Sequence, residues 1–165
     1  MNDSIKAVGN LKIVKTNKDN VIVETREVPN LIVTVGKGII ANRLARNTGN
    51  VPQSMAIGID STTPSLVQTG LLNEKARVSQ FGSNVKATGT FTAATGKFTN
   101  VVNSAVITYT GTFGSGIPGG TETLTEAAIF DSPNVGGTML CRTTYAGVSK
   151  GPTDIVTITW NITIA

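Results

Sequence analysis

The chain contains no histidine and a single cysteine, Cys141, in 165 residues. Without histidine it lacks the commonest general base and transition-metal ligand. Ser-His-Asp and Cys-His arrangements are excluded, and one Cys without His cannot assemble the usual zinc sites. A lone cysteine forms no internal disulfide, so Cys141 is expected as a small hydrophobe in a strand. Aromatic residues make up only 5% of the chain, which leaves few rings to floor a sugar-cleaving cleft. Charged residues are 15%, well below the roughly 25% of an average soluble domain. No apolar run approaches the ~20 residues that span a bilayer. MNDSIKAVGN has neither the basic nor the apolar region of a secretion signal, so none is expected. No Walker-type GK[ST] loop occurs; Lys150-Gly151 has the order reversed.

Threonine and glycine take the place of charge, with 25 and 18 residues. Threonine suits a pleated surface, because its branched Cβ packs while its hydroxyl faces water or a neighbour. The net charge of +4 and the pI near 9.4 invite a nucleic-acid reading. The basic residues are scattered, however, the densest group being Arg43 and Arg46 beside Lys37, and no aromatic stacking motif accompanies them. No nucleic-acid or membrane partner is expected; a mildly basic surface suits an acidic protein surface.

LKIVKT (11–16) and VIVETREV (21–28) flank NKDN and predict a hairpin, with residues 1–30 a hairpin or arm at the edge of the domain. Pro29-Asn30 is expected to break the run before LIVTV, a short buried strand. GKGIIANRLARNTGN (36–50) predicts the one helix, near residues 38–47, with Ile40 and Leu44 stacked at i, i+4 and Arg43 and Arg46 outward. SMAIGI (54–59) and EKARVSQF (74–81) read as strands, and LVQTGLL as a short helical turn. VKATGTFT (85–92) and NVVNSAVITYTGTF (100–113) read as a long antiparallel pair. TLTEAAIF and GTMLCRTTY flank DSPNVG as a longer hairpin, and GVSKGPT leads into the last strand. The expected fold is mainly β: an antiparallel β-sandwich or jelly roll with one short helix, in a single domain over 1–165.

Three constellations carry a chemical reading. Gly36-Lys37-Gly38-Ile39-Ile40-Ala41 follows a strand and opens a helix as in G-x-G-x-x-A, and Asp60 stands where a ribose-binding acid would be sought. Everything after Asp60 reads as antiparallel β, however, with no further βα units, so the glycines are expected to serve a sharp turn. Glu122 and Glu126 lie four apart on a strand with Asp131 following, a set that could bind Ca²⁺ or cleave a glycoside. Solvated carboxylates at a sheet edge are the plainer expectation. Asn161-Ile162-Thr163 and Asn2-Asp3-Ser4 fit the glycosylation sequon but belong to a chain with no expected secretion signal. No catalytic, cofactor-binding or metal-binding residue is assigned, and the protein is not expected to be an enzyme.

In DIVTITWNITIA, residues 154–165, Val156, Ile158, Trp160, Ile162 and Ile164 share one parity. Thr157, Thr159, Asn161 and Thr163 share the other. This period of two predicts a strand with a buried face. Trp160 therefore belongs to the core, and the strand is expected to close a sheet as a latch.

From residue 124 the sequence reads LTEAAIFDSPNVGGTMLCRTTYAGVSKGPTDIVTITWNITI. This resembles the ending of a class of small structural proteins of tailed bacteriophages. Their pattern is an ITEAGIF strand, a turn, GGTMLART, a V-x-KG turn and a DTLTITWTITI strand. VPNLIVTVGKGIIANRL and MAIGID…LLNEKAR resemble the same proteins in the same order, so the resemblance spans most of the chain. Ala128 stands where the pattern has Gly, and Cys141 where it has Ala. The resemblance implies a virion component with a β-sandwich or jelly-roll body and no catalytic residues. A capsid cement or decoration protein is favoured, a homo-oligomer (trimer favoured) that bridges neighbouring major capsid proteins and is assembled in the host cytoplasm. A tail, collar, baseplate or fibre-base component is the alternative, since a long fibre would show heptads or repeats. A glycan-binding module with Tyr109, Tyr145 or Trp160 under a sugar ring is a third reading.

Overall fold

The computed structural model describes residues 6–46, 50–79, 82–83, 97–103 and 105–164. Its elements are β1 (Ala7–Thr16), β2 (Ile22–Ile32), α1 (Thr34–Arg46), β3 (Ser54–Gly58), β4 (Glu74–Ser79) and β5 (Gly82–Ser83). They continue with β6 (Lys97–Asn103), β7 (Val106–Phe113), β8 (Glu122–Phe130), β9 (Met139–Lys150) and β10 (Ile155–Ile164). The strands form one sheet in the order β5-β4-β3-β8-β9-β2-β1-β10-β7-β6, antiparallel at every pairing. β4, near one end of that order, packs against β6 and β7 at the other. The sheet thus folds over into a nearly closed β-sandwich, mainly β as the threonine-rich, turn-punctuated sequence predicts.

β2 joins the two layers. Its residues up to Asn30 pair with β1, and then Leu31 and Ile32 pair with Arg142 and Cys141 of β9. Pro29 does not break this strand, because β2 before Leu31 has a strand on one side only, where a missing N–H is tolerated. The hairpin turn before it is built as expected: Asn17 Oδ1 accepts the N–H groups of Asp19 (2.9 Å) and Val21 (3.0 Å), and Asn20 adopts φ 59°.

The terminal strand is central. β10 pairs with β1 along its whole length and with β7 from Val156 to Thr163. Val156, Ile158, Trp160 and Ile162 are buried, Ile164 is half-buried, and Asn161 is exposed on the opposite face. The inward side chains meet Leu11 and Ile13 of β1, Met55 and Ile57 of β3, and Leu124 and Ile129 of β8 in one core. Phe98 and Tyr109 stack at 5.8 Å between centroids.

The structure also differs from the sequence pattern at other element boundaries. The long run over 100–113 divides into β6 and β7, which pair as a hairpin up to Asn103 and Val106, and the expected strand 85–92 lies outside the described residues. Over LVQTGLL the expected short turn is a single one, closed by the Gln68 N–H to Ser65 O (3.2 Å). α1 begins at Thr34, inside the β-branched run LIVTV that reads as strand. Packing overrides propensity there. Val33, with Val35 against it, joins a second cluster made of Ala56, Ala128, Phe130 and Met139, and the Thr34 N–H donates to Leu66 O at 2.9 Å.

Gly36 presses the helix onto β9, since a Cβ at this position would lie 1.9 Å from the Leu140 carbonyl oxygen. Gly36→Ala must push the helix off the strand and is expected to cost about 1–3 kcal/mol. Urea denaturation measures it, and a wild-type midpoint would contradict the close contact. Leu44 does not share the buried stripe with Ile40: Ile39 and Ile40 pack on the core while Leu44 is 74% exposed.

Candidate functional site

The carboxylates that the sequence places together are separated by the fold. Glu126 is not a solvated edge residue: β8 lies between β3 and β9, and the side chain is fully buried. One strand over, buried Arg142 donates to Glu126 Oε2 from Nη2 (2.8 Å) and Nε (3.0 Å). The backbone N–H groups of Asn73 (2.9 Å), Leu72 (3.3 Å) and Asp60 (3.4 Å) also donate to the carboxylate. Arg142 Nη1 in turn donates to Thr62 O and Gln68 Oε1, both at 3.0 Å. The loop between β3 and β4 is therefore held on the sheet by one buried ion pair. Gly58 makes room for it, because a Cβ there would lie 2.4 Å from Glu126 Oε1. With both oxygens occupied, Glu126 serves as a structural anchor. Hydrogen bonds from Thr62, with Arg142 a lesser cause, hold the Asp60 carboxyl below the usual range.

A second buried arginine repeats the device. Arg77 donates to Glu74 from Nε (2.9 Å) and Nη2 (2.7 Å), lies 3.9 Å over the Phe130 ring, and donates from Nη1 to Asn134 O (2.6 Å) and Gly136 O (3.0 Å). This fixes the connection between β8 and β9. Of the other two carboxylates, Glu122 pairs with Lys75 (3.2 Å) and Asp131 accepts the Thr138 N–H (2.6 Å). Among the described residues no group of three or more His, Cys, Asp or Glu could hold a metal ion.

Lys150 is a third buried cation, donating from Nζ to Gly114 O (3.0 Å) and Asp154 O (2.7 Å). Burial lowers its pKa to about 8 from 10.5, with nearby Asp154 opposing and Lys15 adding to the shift. Between those values the unfolded chain binds this proton more tightly than the folded one, so the group's contribution to stability rises with pH. Burial raises the Cys141 thiol above its usual 9.0, and pushes Tyr109 up to about 12 from 10.0. Both oppose the rise once the unfolded groups ionise. Stability is expected to climb from about pH 8 to 9, by at most about 1.4 kcal/mol, level off and then fall. Denaturant titrations at each pH measure the climb, which should vanish in Lys150→Met. The same climb in that variant would contradict the assignment.

Two apolar recesses flank α1. A groove of about 430 Å³ is lined by Ile39, Ile40, Leu44, Val51, Ile162 and Ile164, among others. A neighbouring groove of about 500 Å³ shares Ile40, Leu44 and Ile164 and extends to Val8, Lys6 and Lys37. Val8 is 56% and Val51 39% exposed, so Leu44 stands in a continuous apolar surface. Sequence reading misses this surface because it assigns Leu44 to the buried stripe; its distance from Gly36, the point of contact with β9, is the only available signal.

The remaining candidates have structural positions. β2, α1 and β3 form no parallel unit, and Gly36 serves packing, which removes the context of the dinucleotide reading. Asp60 lies 3.7 Å from Arg142. Trp160, Tyr109 and Tyr145 are all buried, so none presents a ring face to a sugar. Asn161 accepts a hydrogen bond from Thr108 Oγ1 (2.8 Å) on the outer face of the sheet. Among the described residues no helix is long and apolar enough to cross a membrane. No protein-family model matches the chain, and no match is found among curated proteins.

Proposed function

We propose that the protein is a non-enzymatic structural component of a tailed-phage virion, a cement or decoration protein that binds neighbouring major capsid proteins at the shell surface. The observation that carries this reading is the distribution of its chemistry. Glu126, Arg142, Glu74 and Arg77 are spent on holding loops to the sheet, while among the described residues an apolar surface around Leu44 is exposed. Contiguous exposed apolar surface marks sites of macromolecular contact. The likeness of residues 124–164 to phage structural proteins supplies the kind of partner. The same likeness supports a tail, collar, baseplate or fibre-base role as the second reading.

Co-sedimentation with empty capsids of the encoding phage tests the proposal. Saturable binding of the purified protein supports it, together with shells that rupture more readily under heat or osmotic shock when the protein is missing. Lack of binding to shells combined with binding to isolated tails selects the second reading. Failure to bind either, with binding on a glycan array, would replace both.

A further inference from the structure

β2 carries an open edge. Among the described residues, 22–30 pair with β1 alone, and only Leu31 and Ile32 reach β9. The Pro29 carbonyl accepts the Thr143 hydroxyl of β9 at 2.7 Å, so it points away from β1. Backbone groups alternate sides along an antiparallel strand. Glu27 and Thr25 therefore also turn their N–H and C=O groups outward. Ile22, Val23, Thr25, Arg26 and Glu27 are all exposed along this stretch. A row of unpaired donors and acceptors of this kind is a template for a further strand.

The order of charges along the edge selects the strand that fits it. Glu24 and Arg26 share one face of β2, 2.8 Å apart, and together carry no net charge. Two such strands running antiparallel about a twofold axis at Thr25 set Glu24 of each opposite Arg26 of the other. These are non-hydrogen-bonded positions, where facing side chains approach closest. At the axis the two Thr25 residues exchange their outward N–H···O=C bonds. Moving the axis by one residue still matches the outward groups, but it sets Glu24 against Glu24 or Arg26 against Arg26, and like charges directly opposite are destabilising. In the favoured register Ile22, 63% exposed, comes beside Val28 of the other copy. We infer that two copies of the chain pair their β2 edges about Thr25, so that their sheets run on into one another. The register shift opposite Lys15 and Thr16 ends the paired stretch on one side, and Pro29 ends it on the other. Charges ordinarily guard an edge strand; here their order is one that a twofold axis turns into attraction. The contact is isologous and smaller than the roughly 800 Å² per partner of a stable interface, so the dimer forms with rising concentration. It uses a surface separate from the α1 grooves and does not rest on the virion reading.

Sedimentation equilibrium of the full chain tests it. Wild type is expected to move from 17.1 kDa toward twice that mass as concentration rises. Glu24→Arg sets cations opposite cations and Arg26→Glu sets carboxylates opposite carboxylates, so each variant alone is expected to keep the single-chain mass. An equimolar mixture of the two restores both opposite-charge pairs and is expected to form a dimer with one copy of each. Thr25→Pro removes the N–H at the axis, on the same side of the strand as Pro29, without touching the pairing with β1. It is expected to be monomeric and to melt near the wild-type temperature. Wild type that stays at single-chain mass at every concentration overturns the inference, and leaves the edge to a strand of another protein. So do charge variants that associate as wild type does, or a mixture of the folded variants that remains monomeric. Dimerisation of Thr25→Pro overturns it as well, and decides the matter by itself if a charge variant fails to fold.

Discussion

Glu126→Leu is expected to lower stability by about 3–5 kcal/mol, because it strands a fully buried guanidinium. Glu126 and Arg142 are both fully buried, and three backbone N–H groups of the β3–β4 loop depend on the same carboxylate. The substitution therefore removes the arginine's buried counter-ion and the loop's anchor together, leaving only the part-exposed Asp60 at 3.7 Å. Against the 5–15 kcal/mol that holds a typical domain, this is a large fraction. The double variant Glu126→Leu, Arg142→Met is expected to recover part of the loss, since it removes both charges instead of orphaning one. Denaturant midpoints measure both variants, and hydrogen exchange shows whether residues 60–73 lose protection first. A single-variant loss under about 1 kcal/mol, or a double variant worse than the sum of the singles, would contradict the anchor.

Trp160→Ala is expected to cost a comparable 3–5 kcal/mol. The indole is fully buried in a strand paired on both sides, at the level where β1 contributes Leu11 and β7 contributes Tyr109. Its Nε1 has no hydrogen-bond partner among the described residues, so the contribution is one of volume and area. Trp160→Phe should therefore lose much less than Trp160→Ala. Equal losses in the two variants would mean that the ring's N–H matters after all.

What the sequence made legible follows from what has a period. The alternation over 155–164 is the same in the structure, because a strand with neighbours on both sides and a core beneath it leaves no freedom of face. The Asn17 turn and the β8–β9 hairpin were legible for an equally local reason. Boundaries fixed by distant contacts were not: α1 starts early because Val33 and Gly36 meet residues of β8 and β9 more than ninety positions away. Glu126 looked solvated because carboxylates usually are, and no spacing announces that Arg142 lies diagonally across the sheet. The stretches that resemble phage proteins contain Gly36, Gly58, Glu74, Arg77, Glu126 and Arg142. The same stretches also contain Ile39, Ile40 and Leu44 of the exposed apolar surface beside α1.

The copy number of the protein in purified particles of the encoding phage tests the virion proposal most directly. Quantitative mass spectrometry is expected to find on the order of hundreds of copies, in fixed ratio to the major capsid protein, as a shell-wide symmetric decoration requires. Six or twelve copies would move it to the tail or collar, and its absence from the particle would contradict the account.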